Sequence, residues 1–184
     1  MMAEQILLGA ENIRQMAWGA VNGCEAASLL MGLHFKCRAL NLSYGQFLKT
    51  MPINQAGNPY RGFGGSPFKN QSGKFEAIFV RPLLNWGRQY GRLIDLSGAA
   101  PAWLYAEVAK HNPVVTYVTV HFEAPDWEIY PFGRVPVNNH AVLLDGFSDQ
   151  KVHVSDPIDG KYWLAKEKFE AIYNTRRMAV AVIN

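Results

Sequence analysis

From Cys24 to Phe35 apolar residues recur almost all round a helix, at Ala26, Ala27, Leu29, Leu30, Met31 and Leu33. A helix without a polar face is a buried one, so this stretch predicts a central helix with a cysteine on its first turn. A second helix is expected over 43–50, capped by Ser43 and stopped before Pro52. Further helices are expected over 75–90, irregular near Pro82, then 102–110 and 165–173. Runs rich in β-branched residues predict strands at 113–120, 140–147, 152–155 and 178–183, with short strands at 5–10 and 92–96. Between them lie a long irregular loop from Pro52 to Lys74, with five glycines and three prolines, and a second loop over 121–138 holding Trp127, Tyr130 and Phe132. Asp156 to Lys161 reads as a turn. Helices cluster early and strands late, which gives an α+β class with an antiparallel sheet.

Composition narrows the function classes. At 184 residues, 49% apolar and 18% charged, the chain is expected to form one ordered domain over 1–184. The net charge of +3 comes from scattered lysines and arginines without a run of five like charges, which argues against nucleic acid as a partner. The first ten residues lack the basic start and apolar core of a signal peptide, and no stretch reaches the length of a membrane span. A soluble chain is the expectation. If Cys24 and Cys37 flank one helix, their separation of roughly 20 Å exceeds disulfide reach. Cys37 is expected to be structural. Without a CxxC or a close His/Cys cluster, no metal site is expected.

Chemistry therefore centres on Asn22-Gly23-Cys24-Glu25. Unpaired N–H groups at a helix start place positive potential beside the sulfur and favour the thiolate, the nucleophilic form. Asn22 is the expected N-cap, and Gly23 the gap through which a substrate would approach. A packed, inert thiol is the alternative. Glu25 disfavours a neighbouring thiolate, so its side chain is expected to point away. A cysteine nucleophile needs a histidine base and a third group to orient it. His34 lies about 15 Å along the same helix and His111 suits a helix end. His121 and His153 have no well-placed partner in the sequence, whereas His140 opens a strand that pairs with the one leading to Asp156. These two residues share a sheet face only if the connection contains an odd number of residues, so a three- or five-residue loop near Ser148 is expected.

Four segments carry a resemblance. Asn22-Gly23-Cys24-Glu25-Ala26, the loop from Gly57 to Pro67, His140 to Phe147 and Val154-Ser155-Asp156-Pro157 resemble, in order along the chain, the bacterial papain-like cysteine peptidases related to bacteriocin leader peptidases. The resemblance implies a papain-like fold, with an N-terminal helical part whose buried nucleophile helix packs on a C-terminal antiparallel sheet. It also implies a Cys24–His140–Asp156 triad, with Gln15 completing the oxyanion hole and Gln5 as the alternative. Activity would be hydrolysis of a peptide or related amide bond by a thiol nucleophile, without metal or organic cofactor, on a peptide or cell-wall-derived substrate; the location is extracellular or cell-surface by resemblance, or cytoplasmic if this N-terminus is native. A catalytically silent binding module and an acyl-transferring enzyme are the other readings of the same residues. For the substrate cleft, the expected wall includes Asn58, Tyr60, Phe63 and Gly65 of the long loop, with Trp127.

Overall fold

The structure is a computed structural model that describes residues 5–184. Residues 1–4 of the N-terminal stretch discussed above lie outside the described residues. In chain order the elements are β1 (Ile6–Leu7), a 3-10 turn (Gln15–Trp18), α1 (Cys24–Phe35), α2 (Tyr44–Lys49), β2 (Ile53–Asn54), β3 (Phe63–Gly64), α3 (Val80–Gly87), β4 (Arg92–Asp95), α4 (Pro101–Ala109) and β5 (Val114–Thr119). A 3-10 turn at Val120–Phe122 leads to β6 (Trp127–Tyr130), β7 (Gly133–Pro136), β8 (Asn139–Phe147), β9 (Lys151–Asp156), β10 (Gly160–Ala165), α5 (Lys166–Tyr173) and β11 (Ala179–Ile183).

An antiparallel sheet of order β10-β9-β8-β5-β11-β4, with β1 pairing onto the end of β8, divides the interior into two cores. On one face α1, α2 and α3 pack over Val115, Tyr117, Ala141, Leu143, Val180 and Val182. On the other, α4 and α5 cover Val114, Val118, Val142, Leu144, Val154 and Ala181. Both faces of β5, β8 and β11 are therefore covered, which is why these strands read as unbroken apolar runs. The ten residues from Cys24 to Leu33 in α1 are all buried. Gly32 lets α1 sit close to the sheet, because a Cβ there would lie 2.8 Å from Val182 Cγ2. Burial of Leu29, Leu30, Met31 and Leu33 contributes roughly 1.5–3 kcal/mol each.

Three expectations from the chain pattern need correction. The helix expected over 75–90 is α3 alone: residues 75–78 belong to no helix or strand, Phe79 is the extended N-cap, and Pro82 falls in the first helical turn, where its missing N–H breaks no intrahelical bond. The loop 121–138 contains the hairpin β6–β7, whose strands face solvent widely, with Ile129 86% exposed, and so show no apolar alternation. Residues 160–165, which run from the end of the expected turn to the start of the expected helix, form the edge strand β10. By contrast the Ser43 cap is as expected, a full capping box with Gln46.

The β8–β9 hairpin departs from expectation in a way that matters. Ser148 donates its N–H to the Lys151 carbonyl at 2.8 Å, so the hairpin closes over the two residues Asp149 and Gln150, and Phe147 pairs with Val152. Regular strands from that turn would place His140 and Asp156 on opposite faces. The odd residue is supplied elsewhere: the register shifts between Leu144 and Gly146, a β-bulge that leaves Asp145 unpaired and sets Leu143 opposite Ser155. Beyond the bulge, His140 and Asp156 share a face.

Candidate active site

The segment leading into α1 is held from both sides. Asn22 is not the cap; that position falls to Gly23, without a side-chain cap. The Asn22 amide instead donates to the Ser66 carbonyl at 3.2 Å, the Lys69 carbonyl at 3.3 Å and Asn70 Oδ1 at 2.9 Å, tying the helix entry to the long loop. Gly23 is required for a reason other than substrate access. A Cβ at this position would fall 1.9 Å from the Tyr44 hydroxyl, which donates to the Gly23 carbonyl at 2.8 Å.

Cys24 is 6% exposed at the start of α1, and its thiol donates to Glu25 Oε2 at 3.3 Å. Glu25 therefore does not point away. Burial, then the Glu25 charge and hydrogen bond, hold the thiol well above its ordinary pKa, with the Ala141 backbone acting in the opposite direction. On β8, His140 Nε2 lies 2.8 Å from Asp156 Oδ1, both side chains almost fully buried. Asp156 Oδ1 also accepts the N–H groups of Ile158 at 2.8 Å and Asp159 at 3.3 Å, and Oδ2 accepts the Tyr162 hydroxyl at 2.9 Å. Burial alone would raise its pKa; the His140 hydrogen bond and charge, with these donors, overcome that and hold the carboxyl below its usual range. An ionised Asp156 only accepts, so Nε2 carries a proton and Nδ1 is the ring nitrogen left free of the carboxylate.

Gln15 sits buried in the first 3-10 turn, its N–H bonded to the carbonyl of Pro157, next to Asp156, at 3.0 Å. Its Nε2 donates to the Val21 carbonyl at 3.0 Å, which fixes the amide orientation, and Oε1 is buried without a partner among the described residues. Cys24, His140 and Gln15 line one cavity of about 480 Å³. Gln5, the alternative, is exposed beside β1 at the far end of β8.

The expected cleft wall is largely displaced. Phe63 is fully buried in the core, and Gly65 packs against Glu76 with φ +73°. Trp127 lies under Arg134 on the exposed hairpin, 4.8 Å from its guanidinium, and Tyr60 stands edge-on to Phe79. None of the five lines the Cys24 cavity; Asn58 lines a second one, of about 260 Å³, that shares Lys74 and Tyr130 with the first. The wall facing Cys24 comes instead from Asn70, Gln71, Ser72, Phe75 and Glu76, the end of the same loop, with Asn139 and Ile158 opposite. Their signal was the mixture of amides and an aromatic at 70–76 beside the glycine-rich part. Cys37, expected to be structural, is exposed with φ 55° just after α1. His121 and His153 do have carboxylate partners, Asp159 at 2.8 Å and Asp145 at 2.5 Å, but neither histidine lines the Cys24 cavity.

The chain can be set beside known proteins. The model of the Peptidase_C39-like family matches residues 7–180. The chain belongs to that family. A curated relative, the uncharacterised protein YvpB of Bacillus subtilis (strain 168), is 27% identical over an alignment of 149 residues that covers 74% of this chain and 58% of the relative's length. Among solved structures, a candidate C39-like peptidase from Bacillus anthracis superposes with a TM-score of 0.85 at 23% identity, over 98% of both chains. A double-glycine-motif protease from an AMS/PCAT transporter, solved in complex with its leader peptide, gives a TM-score of 0.50 at 18% identity over 98% of this chain and 96% of that one. The fold is thus that of C39-like, papain-like peptidases. No helix among the described residues is long and apolar enough to cross a membrane.

Proposed function

We propose that the chain is a cysteine peptidase that cleaves an amide bond in a peptide through a Cys24–His140–Asp156 triad. One observation carries this reading: Cys24, at the start of a buried helix, faces the same cavity as a histidine whose far nitrogen is already held by a buried, ionised carboxylate. His140 Nδ1 takes the Sγ proton, and the thiolate attacks the substrate carbonyl. The oxyanion is held by the Cys24 backbone N–H and the second hydrogen of Gln15 Nε2, the first being committed to Val21. The imidazolium, stabilised by Asp156, protonates the leaving amine; the neutral imidazole then activates a water that hydrolyses the thioester.

Amide-rich walls at 70–76 and Asn22 suit a peptide backbone, which needs paired donors and acceptors on both sides. Binding of a leader peptide by the transporter protease agrees with a peptide substrate here. The test is incubation with a mixed peptide library and product analysis by mass spectrometry, alongside labelling with a peptide vinyl sulfone. Cleavage and Cys24 labelling are expected in the parent and lost in Cys24→Ser and His140→Ala. Cleavage that persists in Cys24→Ser, or a parent that neither cleaves nor labels, overturns the proposal.

A further inference from the structure

The mechanism above has no use for Glu25, yet this is the titratable group closest to the sulfur and it is fully buried. It sits on the first turn of α1, beside the N–H groups that have no intrahelical partner. The positive end of the helix, which would otherwise favour the Cys24 thiolate, is therefore engaged by a competing anion. Two further residues hold that anion. Asn139 Nδ2 donates to Glu25 Oε1 at 3.0 Å, and Arg176 Nη1 donates to Asn139 Oδ1 at 2.7 Å. Arginine can only donate, so the Asn139 amide has one possible orientation and must present its NH₂ to Glu25. Arg176 itself is fixed by the Val118 carbonyl at 2.6 Å, just beyond α5.

We propose that Glu25, held by Asn139 and Arg176, is the resting proton partner of Cys24, so that the nucleophile is stored as a neutral thiol and passes its proton to His140 only when the reaction begins. The inference rests on the peptidase reading for its consequence but not for its test. In the resting state the Sγ–H bond is intact and directed at Oε2. On activation that bond breaks, an Nδ1–H bond forms on His140, and Glu25 remains a carboxylate on Asn139, so one proton moves and charge is conserved. A resting thiol, unlike a preformed thiolate, resists oxidants and alkylating agents.

The groups facing Cys24 and Glu25 are Tyr44 of α2, Tyr117 of β5, Asn139 and His140 of β8, Asp156 of β9 and Arg176 after α5. Burial raises the Glu25 carboxyl, with His140 and Asn139 acting against it; burial lowers Arg176 to about 10, where it is still a cation at neutral pH. The two charges act on the thiol with opposite sign. Glu25→Gln removes an anion and turns an amide N–H toward the sulfur, which favours the thiolate; Arg176→Gln leaves the anion without its cation and favours the thiol.

The experiment is the pH dependence of Cys24 alkylation by iodoacetamide, in a Cys37→Ser background so that one thiol reports. Glu25→Gln is expected to move the alkylation pKa down by about one unit or more, and Arg176→Gln to move it up, with Arg176→Lys restoring the parent value in part. A merely structural pair would move both in one direction. If either variant fails to fold, thiolate absorbance at 240 nm in the Cys37→Ser protein still decides: no Cys24 thiolate is expected below about pH 8. A thiolate present at pH 6, or Glu25→Gln with an unchanged or higher pKa, overturns the inference. Alkylation reads the thiol without hydrolysis, so failure of peptide cleavage would leave this result standing.

Discussion

One hairpin carries two buried His–Asp pairs, and only one of them faces a cysteine. His140–Asp156 lies at the open end of β8–β9, 2.8 Å between partners; His153–Asp145 lies at the bulge, at 2.5 Å. Burial and distance do not tell them apart. Their other contacts do. Asp145 Oδ2 accepts the Ala10 N–H at 3.0 Å and its carbonyl accepts the Leu8 N–H at 2.7 Å, while His153 stands edge-on to Trp163, 5.1 Å between ring centres. That pair fastens the N-terminal segment to the sheet. The other has a ring nitrogen left over on a cavity shared with Cys24. A histidine oriented by a carboxylate is a general base only if something in front of it has a proton to give.

The comparison breaks if the two histidines prove interchangeable. Under the peptidase proposal, His140→Ala should lower kcat/KM by about 10³-fold or more, whereas His153→Ala should change it by less than about threefold in protein that remains folded. Equal losses measured on a cleaved peptide would remove the distinction. Asp156→Asn should cost about 10²–10⁴-fold in kcat, because an amide at this position no longer enforces the Nε2–H tautomer or stabilises the imidazolium. Gln15→Ala should cost about 10²–10³-fold in kcat with a smaller change in KM, the signature of a donor used mainly in the transition state. At the other pair the effect should be on stability. His153→Ala leaves Asp145 buried with one partner fewer, and urea unfolding should register a loss of about 1–3 kcal/mol. Amide exchange should rise first at Leu8 and Ala10.

Much of this layout could be read from the chain, and the failures have physical causes. The buried α1, the Ser43 cap and the strands of β5, β8 and β11 follow from apolar patterns that no tertiary contact overrides. Cys24, His140, Asp156 and Gln15 are legible from chemistry and resemblance as candidates, and the fold draws them together. The cleft wall failed because glycine and aromatic content marks a loop as structured without saying which side chains turn inward: Phe63 went to the core and Gln71 to the cavity. Parity reasoning assumed regular strands, and the bulge at Asp145 supplied the odd residue that the turn did not. Its local marker was Gly146, where a Cβ would lie 2.8 Å from the Ile6 carbonyl, a glycine required by the approach of β1 and visible only once β1 is in place. The orientation of Glu25 is not legible in the sequence, because Asn139 and Arg176, which hold it, are more than a hundred residues away in the chain.

The smallest effect sharpens the comparison most finely, because it touches Asp156 without touching His140. Tyr162→Phe removes a donor to Oδ2 and leaves the Oδ1 bond to His140 and the Ile158 N–H in place. The folded-state pKa of Asp156 lies below its ordinary value, so the stability it contributes is complete above the ordinary carboxyl pKa of about 4 and is lost as pH falls through the lower folded value. Losing the tyrosine moves the folded pKa back toward ordinary and shrinks that contribution. The variant should therefore be less stable than the parent by about 1 kcal/mol near pH 7, and the gap should narrow as acid protonates Asp156 in both proteins. Urea unfolding at several pH values from 7 to 3 reads this directly. A gap that stays constant would mean that Tyr162 stabilises by packing alone, and that the Asp156 carboxylate is held ionised by His140 and the backbone without it.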